Sequence, residues 1–192
     1  MKKLFFILII LFSVNFSFGQ TTTWENDPMH SKLTFTVVHR GFSDILGLFQ
    51  KFDATITTTK PDFSDAMFTL SVDVASKNTE VKMRDDDLRS KNFFDVAKYP
   101  TMTFKSTSIT KTTGIKDRFK ITGDLTMHGI TKQVTMNMWY RGTLYDSTFK
   151  KNKAGFQVTG IINRNDFNVG APDPFDISTD VRMKADGEFF EQ

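Results

Sequence analysis

Residues 118–140 read RFKITGDLTMHGITKQVTMNMWY. Phe119, Ile121 and Leu125, with Gly123 in register, alternate with Lys120, Thr122 and Asp124. Val134, Met136, Met138 and Tyr140 alternate with Gln133, Thr135 and Asn137. A period of two puts the apolar side chains on one face of a strand and the polar ones on the other. Between the two runs stands His128-Gly129, where Gly supplies the positive φ of a tight hairpin. Each strand has one apolar face, and that face must be covered.

The same alternation recurs in both directions along the chain. Towards the N-terminus, Leu33, Phe35 and Val37 alternate with Lys32, Thr34 and Thr36, and Phe52, Ala54 and Ile56 with Asp53, Thr55 and Thr57. Phe68, Leu70, Val72 and Val74 alternate with Thr69, Ser71 and Asp73. Met102 and Phe104 open a weaker strand that turns polar over 105–108. Towards the C-terminus, Phe156, Val158, Gly160 and Ile162 form another, and Ile177, Val181 and Met183 the last. Lys60-Pro61, Asp62–Asp65, Thr113-Gly114, Lys150–Gly155 and the longer Asn168–Phe175 stretch read as turns and loops. Residues 79–95, TEVKMRDDDLRSKNFFD, break the period and predict a short helix near 80–90, with Thr79 as N-cap and Glu80 in its first turn. The helix interrupts the third-to-fourth strand connection. Eight one-sided strands close either as a two-sheet sandwich or as a barrel. Short links between successive strands favour a mainly β, eight-stranded antiparallel barrel, whose interior can be filled or can hold one small ligand.

Residues 1–19, MKKLFFILIILFSVNFSFG, have the layout of a secretory signal peptide. Lys2 and Lys3 precede an apolar run, Leu4–Phe12, too short for a spanning helix, and small residues flank a cleavage point after Gly19. The expectation is a leader over 1–19, one barrel domain over 20–192, and export across the inner membrane to a periplasm or the outside, with no anchor left after cleavage. Five of the 21 Phe belong to the leader. The chain has no Cys, so it has neither a disulfide scaffold nor a thiolate site. Lys and Arg number 25 against 22 Asp and Glu, a balance that argues against nucleic acid as a partner. Three scattered His give no metal-ligand spacing. No nucleophile elbow or phosphate loop is present. The expectation is therefore a non-enzyme with no catalytic residue, no metal and no cofactor.

Several strings together resemble the YceI-like family of secreted, lipocalin-like proteins that bind polyisoprenoids or other lipids. They are Asp27-Pro28-Met29-His30-Ser31, Val38-His39-Arg40-Gly41-Phe42, Leu46-Gly47-Leu48-Phe49, Arg84-Asp85-x-x-Leu88-Arg89-Ser90, Phe93-Phe94-Asp95, Tyr99–Ser106, Gly123–Lys132, Gly155-Phe156 and Asn163–Phe167. The likeness runs from Trp24 to about Lys184. It departs at Asp87, where the family usually carries His, and at Asn168, where it usually carries Gly. The resemblance implies an eight-stranded barrel crossed by a helix. It implies a polyisoprenoid, quinone or fatty-chain lipid inside, and a homodimer.

On that reading the inward side chains are candidate lipid contacts: Phe35, Val37, His39, Phe52 and Ile56; Phe68, Leu70, Val72 and Phe104; Phe119, Ile121, Leu125, Val134 and Met136; Phe156, Val158, Val181 and Met183. The same set equally describes a filled core. His39 continues the inward parity of Leu33 to Val37 near a barrel end. It is a candidate head-group contact, with Arg84 and Asp85 of the helix, although a core histidine and local ion pairs are the plainer roles. Arg164 is expected to pair with Asp166, His30 to pack with the N-terminal segment, and His128 to be exposed in its hairpin. Two functions follow. One is a carrier of one amphiphilic lipid. The other is an envelope interaction or stress protein with a filled core and a protein partner.

Overall fold

A computed structural model describes residues 20–172 and 176–192. The expected leader and residues 173–175 of the last loop lie outside the described residues. The elements run β1 (Thr22–Asn26), β2 (Lys32–His39), β3 (Ser43–Phe49), β4 (Phe52–Thr58), β5 (Met67–Asp73), β6 (Lys77–Asn78), α1 (Lys82–Arg89), β7 (Thr101–Lys111), β8 (Arg118–Met127), β9 (Ile130–Asp146), β10 (Lys151–Asn163) and β11 (Asp180–Glu191).

These strands form eight staves of one closed antiparallel barrel. The hydrogen-bonded ring runs β1-β4-β5-β7-β8-β9-β10-β11 and returns to β1. Trp24 closes it, opposite Ile56 on one side and Glu191 on the other. Three staves are broken. β1 and β2 both pair with β11, β3 continues into β4, and β6 extends β5 through a 3-10 turn at Val74–Ser76 to pair with β3. Successive staves are neighbours throughout, as short links demand. The eight strands expected from alternation are β2, β4, β5, β7, β8, β9, β10 and β11, and α1 lies in the connection where a helix was expected. β3 escapes a period-two reading because Gly47 replaces an apolar residue on its inward face. A Cβ on Gly47 would overlap the Phe35 ring, which lies across it. The hairpin between β8 and β9 turns on two positive-φ residues, His128 at 52° and Gly129 at 76°.

One end of the barrel is solid. Phe63 reaches in from the β4–β5 loop, where the sequence shows only turn residues. It is 1 % exposed and has a positive φ of 55°. Asp65 holds the loop by accepting from the Thr58 hydroxyl at 2.6 Å. The Phe63 ring lies 5.2 Å from Trp24, 5.1 Å from Tyr140 and 5.0 Å from Phe156. Phe156 in turn meets Phe68 at 5.4 Å and Phe189 at 5.7 Å. Edge-to-face packing of this kind adds to the burial of large rings. Removing the plug leaves a void that the surrounding staves cannot fill. Phe63→Ala is therefore expected to cost about 3–5 kcal/mol, read as a lower urea midpoint at unchanged slope. A loss under about 0.5 kcal/mol, as for an ordinary surface substitution, would contradict the role of Phe63 as the seal.

Candidate functional site

Above Phe156 the barrel is hollow. The chamber has a volume of about 480 Å³, within the range of small-molecule sites. Its wall comes from the inward faces of the staves. Phe35, Val37, Phe52, Phe68, Leu70 and Phe104 border it, as do Ile121, Leu125, Met136, Phe156, Val158, Val181 and Met183. These thirteen are among the residues expected from alternation. Four others of that set do not border it. Ile56, Val72 and Phe119 are buried in the wall and floor packing, and Val134 is half-buried. They share the inward parity, but the space beside them is already filled.

Apart from Ile177, the roof was not readable from alternation. Leu88 of α1, Phe93 and Phe94 of the α1–β7 connection, and Val169 and Ile177 of the β10–β11 connection close over the chamber. Phe94 packs edge-on against Phe49 at 6.3 Å, and Phe49 against Phe35 at 5.4 Å. The one hint in the sequence is the Phe93-Phe94 pair, an apolar doublet in an otherwise polar stretch.

Polar clamps hold this roof. Asp85 is buried and accepts from the Thr79 amide at 2.9 Å and the Thr79 hydroxyl at 2.7 Å. Arg84 donates to the same hydroxyl at 2.8 Å and to the Thr79 carbonyl at 2.6 Å. Thr79 is thus the residue held by the helix and does not cap it. Val81 stands at the N-cap without a side-chain bond, and Glu80 precedes the helix at φ 68°. Asp85 does not border the chamber, whereas Arg84 does. Arg89 ties the helix to the broken stave through the carbonyls of Ala75 (3.0 Å) and Lys77 (3.3 Å). Arg164 is buried and donates to the carbonyls of Val169, Ala171, Ile177 and Ser178 at 2.6–3.0 Å. It shapes the β10–β11 connection around itself. The Asp166 carboxylate lies 3.2 Å from Lys132. Asn168 adopts the left-handed conformation, φ 53°, which the Gly usual in that position would take without strain.

His39 is exposed at the rim of the chamber, so it is no core histidine. Arg40 and Asp176 lie beside it and pair at 2.9 Å. His128 is half-buried, not exposed. Its ring packs on Tyr99 at 4.5 Å, and Nδ1 lies 3.1 Å from the Phe167 carbonyl. On the outer wall, His30, Asp27 and Glu188 come close enough to hold an ion. The Lys153 ammonium lies 2.9 Å from Glu188 and 3.4 Å from Asp27 and supplies the countercharge.

The fold and the chamber define a lipocalin-like barrel with one apolar compartment. The chain belongs to the YceI-like family, whose domain model matches residues 24–189. It is 33% identical over 160 residues to the protein YceI of Escherichia coli O157:H7, covering 83% of this chain and 82% of that one. Among solved structures it resembles Burkholderia cenocepacia BcnA, with a TM-score of 0.75 and 26% identity over 85% of this chain and 98% of that one. A polyisoprenoid-binding domain from Saccharophagus degradans shares the fold with a TM-score of 0.64 at 15% identity, over 88% and 98% of the two chains.

Beneath the roof lies a lysine that no pattern suggested. Lys77 pairs with Phe49 across β6 and β3 and is 1 % exposed. Its ammonium lies 3.4 Å from the Val74 carbonyl and 5.5 Å from the Phe94 ring centre. Burial, helped by nearby Arg89, pulls its pKa down to about 8, against the pull of Asp85 and Asp73. An unfolded lysine titrates near 10.4. Between these values the unfolded chain holds the proton more tightly, so the penalty is full below pH 8 and is relieved as pH rises towards 10.4. Lys77→Met is expected to raise stability at pH 7 by on the order of 2–3 kcal/mol. That advantage should shrink across pH 8–10.4 in paired urea titrations. A variant less stable than the parent at pH 7, or an advantage independent of pH, would contradict the assignment.

Proposed function

We propose that the protein is an exported carrier that holds one amphiphilic lipid in the chamber above Phe156. The single observation that carries this reading is the chamber itself: a hollow of about 480 Å³ with mostly apolar walls and roof, where Arg164, the one buried charge on its lining among the described residues, is held by backbone carbonyls. A solid interior, as a pure interaction protein would have, describes only the end sealed by Phe63. The naming of the Saccharophagus relative as a polyisoprenoid-binding domain supports a chain of isoprene units as the ligand class, and an isoprenoid quinone fits the same walls. Binding then rests on burial, about 0.8 kcal/mol for each CH₂ removed from water. His39 and Arg84 at the rim are the groups placed to meet a polar head. Asp85 is committed to Thr79. The layout of residues 1–19 supports export, and among the described residues no helix is long and apolar enough to cross a membrane.

Solvent extraction of the purified native protein, followed by mass spectrometry, is expected to release about one lipid per chain. Leu70→Trp and Val158→Trp fill the chamber and should empty it at least tenfold (about 1.4 kcal/mol of binding) with the circular dichroism of the barrel retained. A parent protein that carries no lipid and takes up neither polyprenol nor quinone would end the carrier reading. Sequencing the N-terminus of the protein made in its own cells should begin at Gln20, and a chain beginning at Met1 would refute cleavage.

A further inference from the structure

Four large apolar side chains stand exposed around the mouth of the chamber. Phe42 is 91 % exposed in the turn between β2 and β3, next to the rim residues His39 and Arg40. That turn is fixed by positive φ at Arg40 (49°) and Gly41 (73°) and by the Phe42 amide donating to the His39 carbonyl at 2.9 Å. The backbone alone makes it, so the fold does not require a phenyl ring there. Met83 is 81 % exposed on α1, beside the rim residue Arg84. Leu46 follows Ile45, which borders the chamber, and Val81 precedes α1; both are exposed.

Most of the charges among them are paired, and the rest balance. Asp86 takes Lys82 at 2.6 Å and Arg89 at 3.1 Å, Arg40 takes Asp176, and Arg182 takes Asp44. Arg40, Lys82, Arg84, Arg89, Lys91 and Arg182 stand against Asp44, Glu80, Asp85, Asp86, Asp87 and Asp176, a net charge of zero. Such a face offers nothing to a polyanion, and its attraction to any partner is apolar. A stable dimer needs about 800 Å² on each partner around a continuous apolar centre. Four side chains separated by ion pairs, on two projections beside an opening, do not form one.

We propose that this rim docks on the surface of a phospholipid bilayer, with Phe42 and Met83 inserted among the acyl chains and the chamber mouth turned to the membrane. The proposal rests on the carrier reading. A ligand insoluble in water then passes between membrane and chamber without crossing the solvent. Exposed apolar groups on a neutral rim bind by buried area, so binding should need no anionic lipid and should resist salt.

The test is flotation of the native protein with pure phosphatidylcholine vesicles at low and high salt. The parent is expected to float with the vesicles at both. The double variant F42D/M83D should lose vesicle binding about tenfold or more, keep the lipid occupancy of the parent and transfer lipid between vesicles more slowly. F149D, at the exposed hairpin tip of the closed end, should float like the parent. A parent that stays in the bulk phase, a double variant that floats unchanged, or loss of flotation in F149D instead would each overturn the proposal. So would a concentration-dependent dimer of the parent that F42D/M83D abolishes. Absence of lipid from the parent would instead sink the carrier reading, and flotation is read independently of it.

Discussion

The ring of Phe156 is the contact on which the interior depends. Four other rings, Phe63, Phe68, Tyr140 and Phe189, lie within 5.0–5.7 Å of it, and its upper side borders the chamber. An eight-stranded barrel is just wide enough to be filled by its own side chains or to enclose a small ligand. Here one barrel is filled at one end and hollow at the other, and Phe156 is the partition. Below it, large rings interlock and leave no room. Above it the inward residues Val158, Val181, Met183 and Leu70 are smaller or flexible, and the space between them stays open.

The two halves are held by different forces. The closed end is apolar packing sealed by a plug from a loop. In the open end polar clamps replace interlocking rings. Asp85 and Arg84 grip Thr79, Arg89 grips the broken stave, Arg164 gathers the carbonyls of the last connection, and Lys77 sits buried at a cost to stability. A half whose interior is hollow is expected to open at lower free energy than a packed core. That difference suits the proposed carrier, which needs a shut floor and a roof that opens.

Much of this was legible in the residues. Period-two alternation identified eight strands and the faces they turn inward, because each face meets the same requirement for burial. Of the eighteen candidate contacts, thirteen apolar ones border the chamber and His39 stands at its rim. Alternation records the face of a strand but not the height along the barrel, so Ile56 and Phe119 read the same as Phe52 and Ile121 although the space beside them is filled. Phe63 was hidden because its backbone is a turn and only its side chain belongs to the core. Lys77 was hidden because a charged residue argues for solvent, and only its register opposite Phe49 places it inside. Gly47 concealed β3 because an absent side chain leaves room for the Phe35 ring. Thr79 looked like a cap because hydroxyls before helices usually are, yet the buried carboxylate of Asp85 binds it from within the helix.

The central claim is that a bound chain ends at Phe156. Nuclear Overhauser contacts between an isotope-labelled polyprenol and the aromatic protons of the protein measure this depth directly. The account predicts contacts from the chain terminus to Phe156 and from the chain to Phe68 and Phe104, with none to Phe63 or Phe119. Contacts reaching Phe63, or contacts confined to the outer surface, would contradict it.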